Sequence, residues 1–343
     1  MKAAVFKGPE NIVVEDVELS HCGPDDIILN VYACGLCGSD VRNYRSGLRH
    51  GVKEQIMGHE FTGIVTETGK NVKHLSKGDK LAFTPDVSCG ECYYCKRGWV
   101  NLCENHRMLG THWPGGFAEY VHIPGFVLKR GIYNHIPEGV SLEGAALSEP
   151  ATSVIASQER ACVGLGDSVA IFGDGPIGCL HAEVARSRGV STIIIIGLSR
   201  LKDAKQFNPD LLIDAGSEDP VKKVRSFTNN FGVDIVVCAN PVASTQEQAV
   251  EIVRKRGRVV LFGGLPKTNP MTSLNSNIIH YNELEVVGAF SYEMRMHSKS
   301  LEAIKIGALH PEKYFNKTVS LDNIEEGFRA AISGEALKVL VKP

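Results

Sequence analysis

A G-x-G-x-x-G turn, Gly173-Asp174-Gly175-Pro176-Ile177-Gly178, follows directly on the apolar run VAIF (169–172). It opens a helical pattern that continues through Arg188, with Ile177, Leu180, Val184 and Ala185 on one face. Few folds meet both demands at once. A strand must deliver the chain to the turn, glycines must permit close approach, and the helix must begin with free N–H groups and positive potential. Those features suit a pyrophosphate, so the turn is expected to hold a dinucleotide through Gly173, Gly175, Pro176, Ile177 and Gly178.

The same region carries five more short apolar runs: TIIII (192–196), LLI (211–213), IVVC (235–238), VVLF (259–262) and LEVVGA (284–289). Amphipathic stretches such as TQEQAVEIVRKRG separate them. Continuous apolar runs with helices between them predict a parallel sheet covered on both faces. Residues 1–150 read differently, as β-rich, with KAAVF, DIILNVYAC, GIVTET and DKLAF punctuated by Gly, Pro and Asp. The chain after residue 290 returns to a mixed pattern with one amphipathic helix near 324–332.

The end of the second apolar run bears on the dinucleotide. A site for NAD(H) usually places Asp or Glu there, to hold the ribose 2′-hydroxyl. This chain has Gly197-Leu198-Ser199-Arg200-Leu201-Lys202 instead. Gly197 is expected to leave room for a 2′-phosphate, with Ser199 donating a hydrogen bond and Arg200 a bidentate charge contact. NADP(H) is therefore expected in preference to NAD(H). Solvated Arg200 and Lys202 on an NAD-specific protein are the alternative.

Ten cysteines are spread unevenly. Cys89, Cys92, Cys95 and Cys103 form a closed set of four soft anionic ligands, the pattern of a structural zinc with no open position. Polar Glu91, Tyr93, Lys96 and Arg97 between them suit an exposed lobe that the metal orders. Cys37, His59 and Glu60 offer a thiolate, an imidazole and a carboxylate, and three ligands with an open position fit a catalytic zinc. Thiolate and carboxylate together neutralise the ion. Permanent ligation by Glu149 as well would make the site net negative and close it, so Glu149 is expected beside the metal or as an exchangeable ligand. Spacing alone leaves open a structural His-Glu pair and a core thiol. The remaining Cys22, Cys34, Cys162, Cys179 and Cys238 are expected to be small buried apolar residues.

Lys and Arg total 37 against 39 Asp and Glu, a net charge of −2, which makes no case for nucleic acid or an anionic membrane surface as partner. No apolar stretch reaches 18 residues, so no transmembrane helix is expected. The opening MKAAVFKGPENIVVEDVE turns acidic too soon for a signal peptide, and a cytoplasmic location with reduced cysteines is expected.

Taken together, CGLCGSD (34–40), GHEFTGIV (58–65), the four-cysteine lobe, GGFAEY (115–120), SEP (148–150) and the glycine turn resemble the zinc-dependent medium-chain alcohol and polyol dehydrogenases. The polyol branch, with sorbitol and threonine dehydrogenases, is the nearest group, and the similarity covers nearly the whole chain. It implies an α/β architecture: a GroES-like β-rich catalytic domain (1–150), interrupted by a Rossmann-fold nucleotide-binding domain (151–290) and completed by 291–343. It implies two zinc ions per chain, with Cys37, His59 and Glu60 as catalytic ligands, Glu149 as the carboxylate beside the metal, and Ser39 as the proton-relay hydroxyl. It also implies a homodimer or homotetramer with LEVVGA near the subunit contact.

The activity implied is hydride transfer between a secondary alcohol or its ketone, polyol or sugar-derived, and a nicotinamide cofactor. Oxidation of an amino alcohol in the manner of threonine dehydrogenase is the alternative, and a nucleotide-binding regulator without turnover is the non-enzyme one. Two departures matter. Arg42 stands where the relay often continues through a His, and an Arg with a pKa above about 12 shuttles no proton near neutrality. Ser291-Tyr292-Glu293-Met294-Arg295 lacks the Arg-Tyr pair of sorbitol dehydrogenase proper, so the substrate need not be sorbitol. Arg42, Arg45, Arg49, His50 and Lys53 form either a loop that draws an anionic substrate or a solvated basic loop. Trp113 and Phe117 are candidates either for a pocket wall or for plain core.

Overall fold

Residues 1–343 are described in a computed structural model; the side chain of Arg49 lies outside the described residues. The chain folds as two units, one formed by Met1–Thr152 with Tyr292–Pro343 and the other by Ser153–Ser291.

Period-two alternation builds the first unit. Strand Ile27–Gly35 pairs antiparallel with Glu60–Thr68 and Tyr120–Ile123, and Glu60–Thr68 pairs in turn with Lys80–Val87. The C-terminal strand Lys338–Lys342 joins Ile27–Gly35 on the same side as Tyr120–Ile123 but at its other end, with Leu340 opposite Gly35. Gly35 also faces Glu60, so Leu340 and Glu60 flank it from either side. Leu29, Phe61, Phe83, Phe117, Phe328 and Val339 meet in one core. Two helices matter for the site: α1 (Gly38–Ser46) and α2 (Ser148–Arg160). The amphipathic C-terminal helix forms over Ile324–Ser333 and buries Ile324 and Phe328.

The second unit is the parallel sheet. Its strands, numbered within the unit, are β1 (Ser168–Phe172), β2 (Thr192–Gly197), β3 (Leu211–Asp214), β4 (Val233–Cys238), β5 (Val253–Leu261) and β6 (Glu285–Gly288). They lie in the order β3-β2-β1-β4-β5-β6. Val169 to Phe172 and Ile193 to Ile196 are buried without alternation, as a sheet covered on both faces requires. β6 is an edge, and Glu285, Val286 and Gly288 are exposed there. Helix α3 (Pro176–Ser187) follows the glycine turn.

Two sequence expectations fail. The helix read through VRKRG stops at Ile252, because Val253 is drawn into β5 opposite Val233, with Arg256 in the left-handed region. Cys162 is exposed, in a left-handed turn after α2, whereas Cys34, Cys179 and Cys238 are buried and Cys22 is half-buried. Among the described residues no helix is long and apolar enough to cross a membrane.

Candidate active site

Cys37 sits where strand Ile27–Gly35 hands over to α1. It is the N-cap of that helix, and its sulfur accepts from the Ser39 N–H at 3.5 Å. Asp40 completes a capping box by accepting from the Cys37 N–H at 3.0 Å. The other oxygen of Asp40 lies 3.2 Å from His59 Nδ1. One buried carboxylate therefore orients two predicted ligands, and a bond on Nδ1 leaves Nε2 for a metal. Ser39 Oγ is 3.3 Å from that Nε2. Burial disfavours charge on His59, but Asp40 and Cys37 outweigh it and hold the imidazole pKa well above the usual range.

Glu60 is fully buried. Lys338 Nζ donates to its Oε1 at 2.8 Å and to the Leu36 carbonyl at 3.4 Å. The ammonium is also 2.6 Å from Oε2, yet that oxygen receives no aligned hydrogen bond. Burial opposes the Lys338 charge; Glu60, with Cys37 behind it, prevails and raises its pKa. The donor atoms of Cys37, His59 and Glu60 lie within 4.8 Å of one another. A tetrahedral zinc with ligands at about 2.0–2.3 Å sets its donors roughly 3.3–3.8 Å apart, so the three fit such an ion after small side-chain movements. Oε2, which has the ammonium beside it but no aligned hydrogen bond, offers the lone pair such an ion would use.

Glu149 lies in the first turn of α2, outside that triplet. Tyr292 OH donates to its Oε1 at 2.7 Å. Burial pushes its pKa up to about 7, with His59 opposing and the like charge of Glu60 adding. Behind it, Asn134 Nδ2 is 2.9 Å from His297 Nδ1, and His297 Nε2 is 2.9 Å from Ser148 Oγ. The amide donor sets the tautomer, so Nε2–H donates to the serine. Burial drives His297 down to about 3, which keeps this brace neutral.

The four lobe cysteines also converge within 4.8 Å, with Cys89 and Cys95 sulfurs 3.9 Å apart and Cys92 and Cys95 3.5 Å apart. Zinc with Zn–S bonds of about 2.3 Å sets sulfurs about 3.8 Å apart, so this set fits too. Backbone N–H groups of Cys95 and Glu104 lower Cys92 to about 6, while burial raises Cys103 to about 12.

In the second unit, Gly175 caps α3 and Pro176 takes its first position. A Cβ at Gly178 would strike the carbonyl of Gly173, so strand and helix pack this closely only around glycine. The space expected beside Gly197 is not open: the Asp174 side chain fills it, and a Cβ at 197 would collide with that side chain. The Asp174 carboxylate accepts from the N–H groups of Leu198 at 2.9 Å and Arg200 at 2.6 Å. Ser199 is exposed and Arg200 half-buried.

Of the basic loop, Arg42, Arg45, His50 and Lys53 are exposed; the Arg49 side chain lies outside the described residues. The His50 ring is 4.9 Å from that of His112. Burial, then the charges of His50, Arg107 and His106, lower His112. Phe117 is core, edge-on to Phe328, and Trp113 packs against the same core and Phe126.

Sequence reasoning gave Asp40, Lys338, Tyr292 and His297 no role. The Cys37-x-x-Asp40 spacing was a legible capping signal. Lys338 opens the apolar strand KVLVK, where a lysine reads as a surface residue.

Family models match both units: an alcohol dehydrogenase GroES-like domain over residues 23–130 and a zinc-binding dehydrogenase over residues 176–305. A sorbitol dehydrogenase of Bacillus subtilis is 31% identical over 100% of this chain and 97% of its own length. A D-arabitol-phosphate dehydrogenase of Enterococcus avium is 29% identical over 98% and 95%. A crystal structure of a zinc-binding dehydrogenase from Sinorhizobium meliloti, bound to NADP, superposes with a TM-score of 0.92 at 31% identity, covering 100% and 99% of the two chains. The fold is thus that of the GroES-like, Rossmann-type medium-chain oxidoreductases. Within that class the chain belongs to the zinc-type alcohol and polyol dehydrogenase family.

Proposed function

We propose that this enzyme transfers a hydride between a polyol or sugar-derived secondary alcohol and a nicotinamide cofactor, NADP(H) in preference to NAD(H). The observation that carries the reading is the double hold of Asp40 on Cys37 and His59, whose donor atoms converge with that of Glu60. A zinc ion held by Cys37, His59 and Glu60 would supply Lewis-acid polarisation of the alcohol oxygen. Asp40 fixes the His59 tautomer that ligates. Ser39 Oγ accepts the alcohol proton as its own hydroxyl proton passes to solvent water, since Arg42 takes none on. Glu149, tethered by Tyr292, would stand beside the ion and leave a position for substrate. Cys89, Cys92, Cys95 and Cys103 would hold a second zinc that orders their loop and takes no part in the reaction.

Ser199 and Arg200 bind the 2′-phosphate, and the turn from Gly173 to Gly178 binds the pyrophosphate. The exposed edge strand β6 supports assembly with a second copy of the chain as a homodimer or homotetramer. A phosphorylated or carboxylated polyol is a second reading. The gathered His50, His106, Arg107 and His112 favour it, as does the similarity to an arabitol-phosphate dehydrogenase.

The test follows nicotinamide absorbance with NADP⁺ and NAD⁺ against polyols, their phosphates, sugar acids and L-threonine, with a chelator-treated control and zinc counted per chain. Turnover of a polyol that prefers NADP⁺ and ceases on zinc removal supports the proposal. Turnover of L-threonine alone replaces the substrate class, and a preference for NAD⁺ removes the cofactor reading.

A further inference from the structure

We propose that Asp174 is a positioning residue for cofactor choice: it holds residues 198–200 in the curl that presents Arg200 to the 2′-phosphate of NADP(H). The proposal rests on the NADP(H) reading above and supplies its structural cause.

Asp174 is the second residue of the glycine turn, and its side chain leaves the turn sideways, towards the end of β2. It is 8% exposed. A single oxygen, Oδ2, accepts both the Leu198 N–H (2.9 Å) and the Arg200 N–H (2.6 Å). Bonds from two N–H groups to one anionic oxygen are charge-assisted and short. They bend the three residues after β2 around that oxygen. Converging backbone N–H groups of this kind form a ready-made hollow for an anion. Here the chain fills the hollow with its own carboxylate.

Three consequences follow. First, an incoming phosphate finds these N–H groups already used and must be met by side chains. Second, Ser199, between the two donors, is turned out to solvent. Third, Arg200 is anchored by its own N–H, and its Nη1 stands 3.8 Å from where a Cβ on Gly175 would be, directly over the phosphate-binding turn. The two N–H bonds disperse the negative charge of Asp174, and Arg200 opposes it, so the carboxylate acts as a brace. Gly197 belongs to the same device, since any Cβ there would displace the Asp174 side chain. A glycine at the end of β2 therefore accommodates Asp174 directly and serves the phosphate only through it.

The test is titration of the full-length protein with 2′,5′-ADP and with 5′-AMP, by calorimetry, for wild type, D174A, D174N, R200A, G197A and the double variant D174A/R200A. Wild type is expected to bind 2′,5′-ADP more tightly than 5′-AMP. D174A and G197A should each weaken 2′,5′-ADP tenfold or more while leaving 5′-AMP within twofold. D174N, whose amide oxygen still accepts both N–H bonds, should recover most of the loss. D174A should add nothing once Arg200 is gone. Equal weakening of both nucleotides in D174A and D174N would reduce Asp174 to a fold-maintaining role and overturn the proposal. Tighter 2′,5′-ADP binding by D174N would overturn it as well, by showing repulsion in place of positioning. If wild type does not prefer 2′,5′-ADP and R200A changes neither affinity, the NADP(H) reading itself falls and the proposal with it. If R200A abolishes the preference and D174A leaves it intact, the NADP(H) reading stands and only the role of Asp174 is refuted.

Discussion

Replacing Lys338 by Met separates two roles of Glu60. In the metal-free protein Lys338 is the cation beside a fully buried carboxylate, with its own side chain only 4% exposed. Removing one member of a buried pair costs about 3–5 kcal/mol, since the other charge is left without compensation. In the zinc-loaded protein the ion itself compensates Glu60, so the same substitution costs much less. The cycle closes through metal affinity: whatever the apo form loses and the loaded form does not must reappear as tighter zinc binding. At about 1.4 kcal/mol per factor of ten, the upper bound is a gain of roughly 10²–10⁴ in affinity. The assay is denaturant unfolding of wild type and K338M with zinc and after chelation, together with zinc competition against a chromophoric chelator. Zinc held in the cysteine lobe would contribute equally to both proteins and cancel. Equal destabilisation of apo and loaded forms, or unchanged zinc affinity, would refute the reasoning, because Glu60 would then not be shared between ammonium and metal.

Three further outcomes are expected. C92S should lower the zinc content by one ion per chain, read by elemental analysis, and lower the unfolding midpoint, since the lobe has little core of its own. G178A forces a methyl against the Gly173 carbonyl; denaturant unfolding should show a loss of about 1–3 kcal/mol, as overpacking usually costs, and cofactor binding should weaken with it. Burial raises the Asp26 carboxyl, but the Gly125 N–H, the His122 ring and the Gly23 N–H outweigh it and hold the pKa below the ordinary value. The stabilisation is therefore complete above the usual carboxylate range, near pH 4, and is lost as pH falls through the depressed native value. D26N should flatten that acid limb in thermal unfolding, and an unchanged limb would show that Asp26 does not contribute to it.

Local patterns carried most of what was legible. The three central strands of the parallel sheet, β2, β1 and β4, lie where continuous apolar runs occur, because a strand buried on both faces has no polar face to obscure it. The four-cysteine lobe is legible for a similar reason: all four sulfurs fall within a stretch that its own turns can close. The exposure of Cys162 was not legible, since a half-apolar residue after a helix reads as core until the turn shows it facing out.

By itself, then, the sequence determined most of the elements, the turn that suits a dinucleotide, and the residue types able to hold two metal ions. Tertiary structure alone decided which groups stand behind them. Lys338 reaches Glu60 from 278 residues away, Tyr292 reaches Glu149 across 143, and His297 reaches Ser148 across 149. It also decided that the room at Gly197 belongs to Asp174. Periodicity reports which face of an element is buried, and it holds no information about the partner across that face. A buried charge is stable only through such a partner, so its identity emerges only when distant strands pair in register.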